Sequence, residues 1–195
     1  MFTMVNRILT VDDCRELAML HNLAFKNFFL TSLGTNFLFK FYKAILMDKN
    51  GIGVGAFEEN KLIGFAIGAK QVRGFYKNIA KKNLFSLSFS ALPHFFANPR
   101  FLFRLIVSLR TSNSNTDGPF LLSICVDPLS GRKGLGTALI DIFELQIGPG
   151  MTYRLMTDEK DNDKVNRFYL KNEFILENVI MQGNRTLNVY KKKIR

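Results

Sequence analysis

The residues Gly131-Arg132-Lys133-Gly134-Leu135-Gly136 put three glycines and two cations into six consecutive positions, a combination that suits a phosphate. Glycine lets backbone N–H groups approach an anion, and a helix starting here would add unpaired N–H groups and the positive end of its dipole. Spacing narrows the ligand. A nucleotide-binding loop needs a glycine set at a fixed distance before Gly-Lys-Ser/Thr, and no such string occurs. The dinucleotide fingerprint fails too, because in Gly134-Leu-Gly136-Thr-Ala-Leu139 a leucine stands where its third small residue belongs.

Such a turn needs a strand before it and a helix after it. Residues 120–126 are mostly apolar, carry the β-branched Ile124 and Val126, and are bounded by Pro119 and Pro128, which predicts a strand. From Gly136 on, Leu139, Ile140, Phe143 and Ile147 recur at three- and four-residue steps, one buried helical face, until Gly148-Pro149-Gly150 stops it.

In this setting the turn resembles the acetyl-CoA loop of the GNAT superfamily of N-acetyltransferases, written Gln/Arg-x-x-Gly-x-Gly/Ala after a strand ending in Val-Asp/Glu-Pro. Gly134 and Gly136 match, as does Val126-Asp127-Pro128. Gly131 stands in the first position, and the arginine follows one residue later as Arg132. A second block, Asn162-Asp-Lys-Val165-Asn-Arg-Phe168-Tyr169-Leu-Lys-Asn172-Glu173-Phe174, resembles the family's Asn-x-x-Ala-x-x-Phe-Tyr-x-x-x-Gly-Phe helix, with Val165 for alanine and Glu173 for glycine. The resemblance implies an α/β (α+β) fold with a central mixed, mostly antiparallel sheet flanked by helices. It also implies acetyl-CoA as co-substrate and no metal.

By the same resemblance, backbone groups of Ile124, Cys125 and Val126 would hold the pantetheine arm and polarise the thioester carbonyl. The turn Arg132, Lys133, Gly134, Leu135, Gly136 and Thr137 would take the pyrophosphate, with either Arg132 or Lys133 reaching it. Asn162 would hold the pantetheine amide, and Tyr169 would be the general acid beside the sulfur. A thiol titrates near roughly 8.5 and a phenol near roughly 10, so the proton can pass without a large penalty. The bland alternative for Tyr169 is an aromatic packed beside Phe168 and Phe174. The general base is not legible: Asp127, Asp158, Glu159 and His94 are candidates, as is a water chain, and Asp127 before Pro128 suits a turn cap equally well.

With 195 residues, 47% of them hydrophobic and 20 of them Phe, residues 1–195 read as a single domain with one sizeable core. Cys14 and Cys125 lack metal-ligand spacing and are too far apart in sequence to read as a disulfide framework. Cys125 reads as a small buried hydrophobe on a strand. Neither a signal-peptide core nor a spanning apolar run stands out, so the expectation is a cytoplasmic protein, with peripheral membrane attachment left open. The net charge of +11 points to anionic partners.

In chain order, residues 7–10 read as a first strand and Thr10-Val-Asp-Asp as a helix start, with Leu17, Leu20, Leu23 and Ala24 carrying a face to about Phe29. Thr35 reads as the cap of a second helix bearing Phe37, Leu38, Phe41 and Ile45, ending near Asn50-Gly51. Phe25, Phe28, Phe29 and Tyr42 are core residues on this reading, or line an acceptor site by family analogy. Residues 52–57 and 62–70 form a hairpin, with Glu58 and Glu59 solvated at its turn. Strands at 152–157, 174–182 and 185–191 and a helix at 162–172 complete the order.

Between the hairpin and the cofactor strand lies a basic, Phe-rich helical insertion at about 73–117. From Asn60 to Thr116 there is no acidic residue, while Lys61, Lys70, Arg73, Lys77, Lys81, Lys82, Arg100, Arg104 and Arg110 contribute positive charge. Helices are expected at 75–92 and 99–110, the second with Arg100, Arg104 and Ser108 on an otherwise apolar cylinder. A lid, a dimer contact or a membrane-surface contact through 73–110 fits such a helix, and no recognition motif points to nucleic acid. The leading functional reading is acetyl transfer from acetyl-CoA to a primary amine of a small molecule, such as an amino sugar or amino acid, with an acceptor bearing negative charge favoured by the basic insertion. A protein N-terminal or lysine acetyltransferase is the alternative within enzymes, and a non-catalytic CoA-binding or membrane-surface module the alternative outside them. Oligomeric state is open between monomer and homodimer.

Overall fold

The computed structural model describes residues 4–26, 28, 30–83 and 117–195. The chain runs β1 (Met4–Ile8), α1 (Cys14–Ala24), α2 (Thr35–Met47), β2 (Gly51–Glu58), β3 (Lys61–Ala69), α3 (Phe75–Lys82), β4 (Phe120–Val126), α4 (Leu135–Ile147), β5 (Thr152–Asp158), α5 (Asp163–Lys171), β6 (Ile175–Gln182) and β7 (Arg185–Lys193). The strands form one seven-stranded sheet in the order β1-β2-β3-β4-β5-β7-β6. Every neighbouring pair is antiparallel except β4 with β5. This is the mixed, mostly antiparallel sheet flanked by helices that the sequence led us to expect.

Alternation along the strands sends side chains to two apolar layers. Phe65, Ile67 and Cys125 pack with Leu17, Leu38, Tyr42 and Ile45 of α1 and α2, and with Phe75 and Ile79 of α3. Val54, Ala66 and Leu121 pack on the opposite face with Leu139, Ile140 and Phe143 of α4 and Tyr169 of α5. The sheet therefore separates a layer of α1, α2 and α3 from a layer of α4 and α5.

Several element ends differ from expectation for local reasons. β1 starts at Met4, not at residue 7. Thr10 initiates a single turn, Val11–Asp13, in a capping box: Asp13 Oδ2 accepts from the Thr10 N–H at 2.7 Å while Arg7 forks onto the same carboxylate at 2.8 and 2.7 Å. Helix α1 stops at Ala24, five residues short of Phe29, because Phe25 leaves helical geometry at φ −117° and ψ 50°. The apolar period persists through Phe25 and Phe28, but the backbone does not follow it. At the start of α2, Gly34 at φ 86° is the capping position and Thr35 is already helical. The Thr35 hydroxyl instead accepts from Asn22 Nδ2 at 2.7 Å.

In the hairpin, Glu59 and Asn60 take the left-handed turn at φ 48° and 67°. Glu58 is not a solvated turn residue: it ends β2 half-buried and pairs with Arg132. Of the expected insertion helices, α3 is described as far as Lys82. Lys70, Lys77 and Lys81 are exposed there, whereas Lys82 pairs with Asp48 at 3.1 Å and Arg73 with Asp117 at 3.2 Å. The rest of the helix at 75–92, the helix at 99–110 with Arg100 and Arg104, His94 and Phe29 lie outside the described residues. No described helix is long and apolar enough to cross a membrane.

One buried polar group sets a pH limit on the fold. His21, 3% exposed, lies under Phe25 with ring centroids 4.7 Å apart, and burial pulls its pKa down from 6.5 to about 4. The folded state thus rejects a proton that the unfolded chain accepts. Stability is fully present above about pH 6.5 and falls as pH drops toward 4, by about 3 kcal/mol over the whole interval. Urea midpoints should be lower at pH 5 than at pH 7.5, and the difference should shrink in His21→Gln; midpoints independent of pH would contradict this reading.

Candidate active site

The site begins where two strands part. β4 follows β3 along Gly64–Ala69, but it meets β5 only at Phe120 with Arg154 and Leu121 with Leu155. The register slips at this point, Ile67 pairing with Ser123 and Gly68 with Leu121, so Leu122 is bulged out. A bulge bends its strand and increases the twist, which turns β4 away from β5. From Leu122 to Val126 the backbone edge facing β5 has no strand partner among the described residues, leaving N–H and C=O groups that an extended ligand arm can engage as a strand would.

The strand ends in a turn that Asp127 holds. Asp127 is 4% exposed, and its Oδ1 accepts from the Leu129 N–H at 2.8 Å. Its carbonyl accepts from the Ser130 hydroxyl at 2.9 Å, and Lys61 lies 3.5 Å from Oδ2. It is a turn cap, so the carboxylate considered above as a base has its oxygens engaged. Gly131 at φ 61° and Gly134 at φ 82° then turn the chain into α4 through left-handed conformations that disfavour side chains. The first intrahelical bond runs from Ala138 N to Gly134 O. The N–H groups of Leu135, Gly136 and Thr137 therefore have no helical acceptor and point out at the positive end of a helix from Leu135 to Ile147.

The candidates on β4 and its turn point in different directions. Ile124 and Val126 face the α4 layer half-buried, and Cys125 faces the other way at 9% exposure. Burial and the Asp127 charge push the Cys125 thiol far above its ordinary value, the opposite of an activated nucleophile. Lys133 and Thr137 are exposed at the turn, whereas Leu135 is anchored in the core. Arg132 bends back to Glu58, which fixes the turn against the end of β2.

Gly136 is in van der Waals range of α5: a Cβ there would come within 3.0 Å of the Phe168 ring. Gly136→Ala should therefore destabilise the fold by about 1 kcal/mol through overpacking, read as a lower urea midpoint. An unchanged midpoint would mean the ring yields freely.

Asn162 caps α5, its Nδ2 donating to Thr157 Oγ1 at 2.7 Å and to the Asp158 carbonyl at 3.1 Å. Both donors serve β5, so its side-chain carbonyl is the group left for a ligand amide. One turn on, Asn166 donates to the carbonyls of Asp158 and Asn162 at 3.1 Å each. Its own oxygen accepts from Asn188 at 3.0 Å and from the Tyr190 hydroxyl at 3.1 Å. Sequence reading passed over Asn166; its one signal was an uncapped amide in mid-helix. Asp158 accepts from Nε and Nη2 of Arg185, at 2.9 and 2.6 Å, which engages a second candidate base.

Tyr169 packs against Phe168, Phe174 and Tyr190 at centroid distances of 5.4, 5.4 and 5.8 Å and is 6% exposed. Burial holds its phenol well above the ordinary value, so it carries its proton at neutral pH. No group of three or more His, Cys, Asp or Glu among the described residues could hold a metal.

Compared with known proteins, the chain matches no family model and no curated sequence. Solved structures do match along its whole length. A GNAT-family acetyltransferase from Bacillus cereus superimposes with a TM-score of 0.60 at 14% identity, covering 99% of each chain. The PaiA N-acetyltransferase of Thermoplasma acidophilum, solved in complex with coenzyme A, gives 0.57 at 15% identity over 98% of this chain and 99% of its own. An aminoglycoside 6'-acetyltransferase of type Ii gives 0.63 at 15% identity, over 98% and 97%. With its seven-stranded sheet, parted β4 and β5 and glycine-led α4, the chain has the fold of the GNAT acetyltransferases.

Proposed function

We propose that the chain is an acetyl-CoA-dependent N-acetyltransferase, a single domain over residues 1–195, acting on a primary amine of a small molecule. The observation that carries this reading is the parting of β4 from β5 directly below the bare amides that open α4. One opening thus offers strand-like partners for an amide-containing arm and an anion site at its end, which fits the diphosphate and pantetheine of a coenzyme A thioester. Two observations favour the fit further: Asn162 keeps a carbonyl free at the β5 side, and a Cβ at Gly134 would project into open space.

Bound there, acetyl-CoA supplies an acetyl group activated as a thioester. The amides of Leu135, Gly136 and Thr137 bind the diphosphate, with Lys133 as the mobile cation. Arg132, held by Glu58, fixes the loop and contributes its remaining N–H groups. N–H groups of residues 124–126 orient the thioester carbonyl and stabilise negative charge on its oxygen. Tyr169 supplies a proton to the departing sulfur. Burial weakens the phenol as an acid, but a thiolate in the same dry layer is a stronger base than in water, so the match is kept.

The exposed Lys70, Lys77 and Lys81 near α3 favour an acceptor carrying negative charge. An assay of free CoA thiol with glucosamine, glucosamine 6-phosphate, lysine, spermidine and a lysine-containing peptide tests both parts. Turnover is expected with small amines, higher for the phosphorylated sugar than for spermidine. Thiol release with none of them would overturn the reading.

A further inference from the structure

Ser123 lies in the part of β4 that has left β5, half-buried, and interacts with the hydroxyl of Tyr42 on α2. The Tyr42 oxygen is in turn 2.6 Å from Nδ1 of His21 on α1. Tyr42 is 1% and His21 3% exposed, and His21 Nε2 is buried without a hydrogen-bond partner among the described residues. A chain of hydroxyls thus leads from the opening to an imidazole in a dry layer, where an unpaired polar atom is costly and calls for a reason.

On this face most described carboxylates are already engaged, Asp12 lying exposed in the turn before α1. No acidic residue occurs from Asn60 to Thr116 or within α2. Glu16 accepts from the Leu62 N–H at 2.9 Å, Asp13 is forked by Arg7, and Asp48 pairs with Lys82.

We propose that Ser123, Tyr42 and His21 form a proton wire that takes the proton of the acceptor amine during acetyl transfer. The proposal rests on the acetyltransferase reading above. As the amine nitrogen bonds to the acetyl carbon, its proton passes to Ser123 Oγ, the Ser123 proton to the Tyr42 oxygen, and the Tyr42 proton to His21 Nδ1. The carbon–sulfur bond breaks, and the sulfur takes the proton of Tyr169. Solvent then removes the proton from His21 along the same wire and restores Tyr169.

Ser123 touches the amine and is the catalytic residue; Tyr42 and His21 act through it. Burial keeps the imidazole uncharged at neutral pH, which leaves one ring nitrogen bare, and the wire requires that nitrogen to be Nδ1. Negative charge developing on the thioester oxygen offsets the penalty of charging it.

Nitrogen-15 NMR of His21 tests the wire without turnover. Nδ1 should be a bare acceptor and Nε2 the protonated nitrogen at pH 7.5, with the Nδ1 signal moving in Tyr42→Phe; a proton on Nδ1 would overturn the proposal. With the fastest amine of the panel above, Ser123→Ala, Tyr42→Phe and His21→Gln should each lower kcat by about 10- to 100-fold while the acetyl-CoA KM holds. The Ser123→Ala/Tyr42→Phe pair should be no slower than the worse single variant. Parental rates, or losses that multiply, would overturn it. Ser123→Ala removes only a half-exposed hydroxyl, so its result does not depend on core packing. Failure of the parent protein to bind acetyl-CoA in calorimetry would refute the enzyme reading itself, separately from the wire.

Discussion

Replacing Gly134 by glutamate is expected to weaken acetyl-CoA binding by at least about 100-fold, or about 2.7 kcal/mol, while the protein stays folded. The residue sits at φ 82°, so any side chain there meets left-handed strain of about 1–2 kcal/mol. A carboxylate at a helix start recovers about 0.3–1 kcal/mol of that from the dipole, and no described residue lies within 4 Å of the added Cβ to clash with it. The same charge occupies the anion site at the Leu135, Gly136 and Thr137 amides and repels a diphosphate. Gly134→Ala carries the strain without the charge, so its affinity should fall by only a few-fold. Equal affinities for the parent and the glutamate variant in calorimetry would contradict the loop assignment.

Tyr169→Phe should lower kcat by about 100-fold with acetyl-CoA affinity unchanged within about two-fold. The ring is held by Phe168, Phe174 and Tyr190, and phenylalanine keeps those contacts, so the fold and the opening persist. Only the hydroxyl is lost, and burial keeps that hydroxyl protonated in the parent. Full activity in Tyr169→Phe would return this residue to the aromatic layer as a packing group and leave the sulfur to take its proton from water.

The elements around the loop were legible because local chemistry and tertiary demand agree there. Pro119 and Pro128 fix the ends of β4, and the step of Leu139, Ile140 and Phe143 gives α4 its buried face. At Phe25 and Phe28 the two part company: the apolar period outlasts the helix, Phe25 still packing on the core from an irregular backbone while Phe28, 50% exposed, rests only its ring edge against Phe25. The Leu122 bulge was invisible, because it arises from the register of β3 against β4 and leaves no composition signal. Ion pairs across long separations were hidden as well, Glu58 with Arg132 among them. The turn-cap role of Asp127 was legible beside Pro128, whereas Asp158 remained open as a base because its partner Arg185, 27 residues on, is assigned only by folding. The same holds for His21 and Tyr42, 21 residues apart and 2.6 Å from contact to contact.

The most direct measurement is a crystal structure of the chain grown with acetyl-CoA. The diphosphate should lie within hydrogen-bonding distance of the Leu135, Gly136 and Thr137 amides, with the pantetheine arm along residues 122–126 of β4 and the sulfur facing the Tyr169 hydroxyl. A coenzyme bound elsewhere, or β4 and β5 closed onto each other along those residues, would contradict the account.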